Sequence, residues 1–148
     1  MVPSSEPSSR PCAETQYPSG LVWFRRDLRA TDNAALYHAL TQCQQVHCVF
    51  VFDREILNPL PRADRRVEFI RESLVELDAA LRELSGSAQG GLIVLHAVAQ
   101  EALPSLVHSL GVQAVYASHD DEPAALARDR AVRTRLATSP PTPAMHDI

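Results

Sequence analysis

Three segments of the sequence concentrate side chains that could bind a ligand or pair with one another. They are RRDLR at 25–29, DREIL at 53–57 and SHDDEP at 118–123, and each follows an apolar run. Arginine donates up to five hydrogen bonds and a carboxylate only accepts them, so these segments can form internal ion pairs or hold a polar ligand. Isolated charges more often have the structural use: Arg25, Arg26, Asp27 and Arg29 could form a solvated rim or an ion-pair network that locks a turn.

Other kinds of site are disfavoured. His96, His108 and His119 lack the mutual spacing of metal ligands, and Cys43 and Cys48 have no matching cysteine pair for zinc. No Ser-His-Asp or Cys-His arrangement can be argued, so we predict no metal site and no catalytic residue in this chain. The first polar segment contains no glycine, which disfavours ordinary dinucleotide binding, and no P-loop is present.

Composition narrows the class of protein further. The chain has 148 residues, a formal charge of −4 and fourteen basic residues, all arginine. A mildly acidic chain lacks the broad positive surface that duplex DNA binding requires, so it should not hold DNA by itself. No apolar run approaches the roughly 20 residues that cross a bilayer, and three cysteines read as free thiols predict a reducing, cytoplasmic location.

Strand and helix patterns alternate along the chain and must position the polar segments. The strand patterns are 20–25, 46–52, 92–97 and 112–118, and the helix patterns are 32–42, 62–84, 100–110 and 122–137. The long second helix carries an apolar stripe at spacings of three and four that predicts core packing: Val67, Ile70, Leu74, Leu77, Leu81 and Leu84. Asp32 or Asn33 caps the first helix.

This alternation predicts an α/β fold with a parallel sheet and helices on both faces. The carboxyl ends of parallel strands share one edge of the sheet, and all three polar segments would meet there. Seven of the eleven prolines lie in the terminal segments, so we expect a flexible leader at 1–19, an ordered domain at 20–137 and a proline-rich tail at 138–148.

Four segments taken together have a familiar order: VWFRRDLRATDNAAL, VFVFDREIL, RRVEFIRESLVELDAAL and YASHDDEPAALARDRAV. They resemble the amino-terminal α/β domain of the DNA photolyase and cryptochrome family over about Leu21–Leu136. The most specific match is W-F-R-x-D-L-R-x-x-D-N-x-A-L at Trp23–Leu36. The resemblance implies a Rossmann-like sheet of order 3-2-1-4, with the family's fifth strand missing and the fourth strand therefore an edge open to association.

The resemblance also implies a cofactor. The family's α/β domain can hold an antenna chromophore, a folate or a deazaflavin, which passes excitation energy to FAD. Asp53, Arg66, Asp120 and Glu122 match antenna-contacting positions of deazaflavin-binding members, and Glu122 also matches a folate-contacting glutamate. Carboxylates can accept hydrogen bonds from ring N–H groups while arginine donates to ring carbonyls.

The same resemblance implies what the whole protein does. In the family this domain packs on a helical domain that holds FAD and binds damaged DNA, where light drives repair of cyclobutane pyrimidine dimers. That FAD domain is absent here, so we expect a fragment of a deoxyribodipyrimidine photolyase that is inactive alone. The alternatives are a fragment of a cryptochrome-type blue-light receptor, or a stand-alone nucleotide-binding or interaction module without photochemistry.

Overall fold

Strands and helices alternate along the chain as the sequence pattern predicts. The computed structural model describes residues 16–25, 28–53, 65–85, 91–119, 123–138 and 143–148. Its elements are β1 Tyr17–Phe24, α1 Ala34–Gln42, β2 Cys43–Asp53, α2 Arg65–Ser85, β3 Leu92–Ala97, α3 Ala99–Leu110, β4 Ala114–Ala117, α4 Pro123–Thr138 and β5 Ala144–Asp147. No helix in these ranges is both long and apolar enough to cross a membrane.

The strands form one parallel sheet of order β3-β2-β1-β4-β5. This confirms the predicted α/β fold and the order 3-2-1-4. The expectation that the fifth strand is missing is wrong. Ala144 N–H donates to Gln113 O and Ile148 N–H donates to Ala117 O, both at 2.9 Å.

β5 was missed because its four residues, AMHD, are too few to show an alternating pattern and follow a run of prolines. The strand forms because its backbone N–H and C=O groups find partners on β4, and the sequence of these four residues does not show that β4 lies beside them. Since β4 has β1 on one side and β5 on the other, it is not an edge strand. The expected association through an open β4 edge therefore loses its basis.

Alternate residues of β1 enter two cores on opposite faces of the sheet, as the two-residue period of a strand requires. Val22 packs with α1 and α2, whereas Leu21 and Trp23 pack with α3 and α4. The helices contribute these buried residues: Leu36 and Ala39 from α1; Leu74, Leu77 and Leu81 from α2; Leu103 and Val107 from α3; Val132 and Leu136 from α4.

The structure decides which residue caps α1, and it differs from the sequence prediction at the end of the apolar stripe of α2. Asn33 rather than Asp32 caps α1, because its side-chain oxygen accepts from Leu36 N–H at 3.1 Å. Leu84, which was predicted to continue the apolar stripe of α2, is 56% exposed. Leu84 lies in the last turn of the helix, beside an open pocket that it lines with Leu40 of α1 and Val46 of β2.

Candidate functional site

The chain reverses its direction of travel across the sheet between β1 and β4. From β1 it moves through β2 to β3 with α1 and α2 on one face, and it then returns to β4 and β5 with α3 and α4 on the other. Ligands of open parallel sheets bind outside the carboxyl ends of the strands at such a reversal. Trp23 pairs with Ala117 at this point, so Arg25 and the residues after Ala117 border the crevice.

The structure describes the backbone positions of two of the four predicted cofactor residues. Asp53 is the last residue of β2, at the carboxyl edge of the sheet, and Arg66 is the second residue of α2. Their side chains, and Asp120 and Glu122 altogether, lie outside the described residues. β2 and β4 flank β1, so the strand that ends in Asp53 and the strand that leads to 120–122 end on either side of it. Convergence of the four side chains stays a prediction.

Arg25, directly after β1, joins the strand end to α4. Its Nη1 donates to Oδ2 of Asp129, and the two side chains are only 6% and 7% exposed. The guanidinium carbons of Arg25 and Arg128 lie 5.0 and 5.1 Å from the ring centroid of Trp23. Both cations therefore face the negative π-surface of the indole, which favours their burial.

The structural use considered for the first polar segment is thus observed at Arg25, whereas Arg26 and Asp27 lie outside the described residues. Sequence reasoning missed Asp129. A signal was available, because Ala125, Asp129, Val132 and Leu136 share the helical spacing of one face. A carboxylate in the middle of an apolar face indicates a buried partner.

The pairing of Arg25 is incomplete. Its Nε–H and Nη2–H₂ groups are buried and have no hydrogen-bond partner among the described residues. Asp129 engages only the Nη1 end, so the opposite, side-on edge of the guanidinium keeps its donors. This edge is the one that matches two adjacent acceptor atoms.

A second polar cluster lies on the α1 face of the sheet. Tyr116 Oη donates to Gln42 Oε1 at 2.6 Å, and Cys43 Sγ donates to Tyr116 Oη at 3.7 Å. His146 of β5 stacks on Tyr116 with ring centroids 4.8 Å apart, and its Nε2 lies 3.3 Å from Tyr17 Oη.

Burial disfavours the ionised forms of two groups in this cluster, the Cys43 thiol and the Tyr116 phenol. Loss of solvent raises the pKa of the Cys43 thiol, and the same cause, with Cys43 adding to it, raises the pKa of Tyr116. Burial also raises the pKa of the nearby thiol of Cys48 to about 12. Because the thiolate is the reactive form of cysteine, these groups serve packing rather than nucleophilic chemistry. Within the described ranges, no group of three or more His, Cys, Asp or Glu side chains could hold a metal ion.

Comparison with known proteins places this fold and motif in a family. A family model described as DNA photolyase matches residues 20–142, which contain the motif at Trp23–Leu36. The deoxyribodipyrimidine photo-lyase of Synechococcus sp. is 34% identical over 119 residues, covering 80% of this chain and 24% of that protein. Cryptochrome-1 of Aedes aegypti is 31% identical over 121 residues, covering 78% of this chain and 22% of that protein.

A solved structure agrees with the sequence matches. The archaeal photolyase from Sulfolobus tokodaii superposes with a TM-score of 0.74 at 31% identity, covering 87% of this chain and 29% of that one. The chain spans about a quarter of the length of the curated relatives named above. Because the family model covers most of the chain and the fold superposes on that of the Sulfolobus tokodaii photolyase, the resemblance seen at Trp23–Leu36 is confirmed and the chain belongs to the DNA photolyase family.

Proposed function

We propose that this chain is the antenna-binding α/β part of a deoxyribodipyrimidine photolyase. In this role it holds a light-harvesting chromophore at the carboxyl edge of its sheet and packs on a helical domain that carries FAD. The observation that carries the proposal is the family match over 20–142, on a sheet whose reversal point lies at the ends of β1 and β4. Light-driven repair of cyclobutane pyrimidine dimers is then an activity of the assembled protein.

The four predicted cofactor residues have the hydrogen-bonding chemistry that such a chromophore needs. Folates, deazaflavins and flavins present ring N–H donors beside carbonyl acceptors, so a site needs both carboxylates and guanidinium groups. Asp53, Asp120 and Glu122 would accept from ring N–H groups, and Arg66 would donate to a ring carbonyl. The bound chromophore would supply light absorption, while this chain would orient it and exclude water.

Three chromophores are candidates. Folate and deazaflavin follow from the family resemblance. The Sulfolobus tokodaii photolyase is described as holding two FAD molecules, with the implication of a novel light-harvesting cofactor. FAD therefore joins the other two as a ligand to test on this chain.

Two other functions compete with this proposal. A cryptochrome-type blue-light receptor is favoured by the 31% identity to the Aedes aegypti protein, nearly equal to the 34% identity to the Synechococcus photolyase. A stand-alone nucleotide-binding or interaction module would use the same sheet without photochemistry. An in-frame coding sequence for a helical domain downstream of Ile148 would favour a photolyase or a cryptochrome. Its absence would favour the stand-alone module.

Titration of the purified chain tests the antenna site. Folate, a 5-deazaflavin and FAD are each added while chromophore fluorescence is recorded. Glu122→Ala should weaken binding by about 1–3 kcal/mol if its carboxylate pairs with a buried ring N–H. The same change should cost folding only about 0.3–1 kcal/mol, the usual contribution of an acidic residue near a helix amino terminus.

The control for this titration is Glu76→Ala, which removes an exposed carboxylate from α2. It should leave chromophore affinity unchanged. If Glu122→Ala binds as tightly as the wild type but melts far earlier, Glu122 is structural. Absence of binding by the wild-type chain to all three chromophores would reject the antenna proposal.

A repair assay tests the fragment interpretation separately. The 148 residues mixed with FAD and dimer-containing DNA under blue light should repair nothing, because they cover only 24% of the length of the Synechococcus photolyase. A full-length photolyase serves as the positive control. Stoichiometric flavin retention together with light-dependent repair would contradict the interpretation.

A further inference from the structure

Arg25 has buried hydrogen-bond donors that its ion pair does not use. The side chain is 6% exposed, Asp129 takes its Nη1 end, and Nε–H and Nη2–H₂ have no partner in the described part of the chain. Leaving buried donors of a charged group unsatisfied is costly, so native structures rarely retain them without a reason. A bound acceptor would remove this cost.

The position of Arg25 points to a ligand independently of its donors. It directly follows β1, the strand at which the sheet order reverses, and it borders the crevice between the carboxyl ends of β1 and β4. This crevice is where ligands of open parallel sheets bind. An unsatisfied guanidinium edge and a topological binding position therefore coincide in one residue.

The rest of the cluster fixes how the guanidinium is presented. Asp129 holds one end and the Trp23 ring lies 5.0 Å from the guanidinium carbon, so the planar group has little rotational freedom. A fixed fork loses little entropy when it binds, and it selects ligands with two acceptor atoms side by side.

We propose that Arg25 binds the chromophore directly, donating from its Nε–H and Nη2–H₂ edge to two adjacent acceptor atoms. This inference rests on the antenna function proposed above and adds a residue outside the predicted set of Asp53, Arg66, Asp120 and Glu122. The adjacent acceptors are either a ring carbonyl with its neighbouring ring nitrogen or two oxygens of a phosphate. A ligand of either kind must present them at the end of β1.

Arg25→Lys is the test variant, because lysine keeps the charge for Asp129 but lacks the side-on edge. Each variant is titrated with folate, a 5-deazaflavin, riboflavin, FAD and ADP, followed by ligand fluorescence and by quenching of Trp23, the single tryptophan. Arg25→Lys should weaken binding of the antenna ligand by about 10- to 100-fold, as expected for a lost charged hydrogen-bond pair. A loss shared by riboflavin and FAD identifies ring acceptors, and a loss shared by FAD and ADP identifies phosphate.

Val132→Ala is the matched control. Val132 is fully buried on the same helix, so its truncation loosens α4 without removing the guanidinium edge. It should lower the melting temperature but keep chromophore affinity. If Arg25→Lys does not fold, Arg25→Gln combined with Asp129→Asn replaces the ion pair by two neutral amides, and the same loss of affinity is expected.

Failure of this inference can be told apart from failure of the antenna function. Wild-type binding with equal affinity in Arg25→Lys would overturn the role of Arg25 alone. An equal loss in Val132→Ala would assign the effect to a loosened helix and overturn it as well. No binding of any ligand by the wild-type chain would overturn both proposals.

Discussion

Gly20 of β1 shows how closely the second polar cluster, which contains Cys43 and Tyr116, is packed. A Cβ atom at this position of β1 would lie 2.5 Å from Cys43 Sγ and 3.4 Å from Tyr116 Cε2. Both neighbours are buried, and each is tied to the other by the contact between thiol and phenol. The strand therefore needs glycine here because of a side chain that crosses above it, not because of its backbone conformation.

Gly20→Ala should lower the free energy of unfolding by about 1–3 kcal/mol, the usual cost of overpacking a core. Adding Cys43→Ala removes the sulfur that the new methyl group would meet, so the double variant should recover most of this loss. Urea unfolding of the wild type, both single variants and the double variant gives the coupling energy. Simple additivity of the two changes would contradict the steric explanation.

At the scale of elements, the ion pair between Arg25 and Asp129 connects the end of β1 to α4. Residues 123–138 form α4, whose buried apolar positions include Val132 and Leu136. Asp129 lies on the same face, where an unpaired charge would be unfavourable. The pair therefore fixes how the middle of α4 sits against the end of β1.

Asp129→Asn should lower the free energy of unfolding by about 3–5 kcal/mol, because it leaves the buried guanidinium of Arg25 without its counter-charge. Glu76→Gln, an exposed change of the same chemistry on α2, is the control and should alter stability by less than about 0.5 kcal/mol. Urea unfolding measures both. Equal stability of the two variants would show that the ion pair contributes little.

At the scale of the whole molecule, β5 supplies the fifth strand of the sheet, which we expected from the sequence to be missing. Ala144–Asp147 pairs with β4, and His146 stacks on Tyr116. All residues of β4 are buried. Residues 144–146 are half-buried. As part of β5 they protect β4, which would otherwise expose its backbone at the edge of the sheet.

A chain that ends at Pro143 should melt at a lower temperature and associate as its concentration rises, because β4 becomes an edge strand. Thermal unfolding and light scattering at several concentrations measure the two effects. Met145→Leu is the control, since it keeps the strand and replaces one apolar side chain by another of similar volume, and it should behave nearly like the wild type. An unchanged melting temperature and particle size after truncation would contradict a structural role for β5.

Much of the architecture could be predicted from the sequence. Short apolar runs located the four strands β1 to β4, and the helix patterns between them located the four helices, since both signals depend only on neighbouring residues. The stripe of α2 was correct from Ile70 to Leu81 but not at Leu84, and the side chain of Val67 lies outside the described residues. Of the candidate site, Asp53 was correctly expected at a strand end, and the meeting of the four cofactor residues stays a prediction.

The sequence by itself determined the order of elements and the family, because helix and strand periods and the motif at Trp23–Leu36 are local properties of the chain. Only the tertiary structure decided that β5 pairs with β4 and that Arg25 pairs with Asp129, 104 residues further along. Strand pairing and buried ion pairs join distant segments. The topology of the sheet decides which segments become partners. The local pattern of one segment does not show which distant segment will lie beside it.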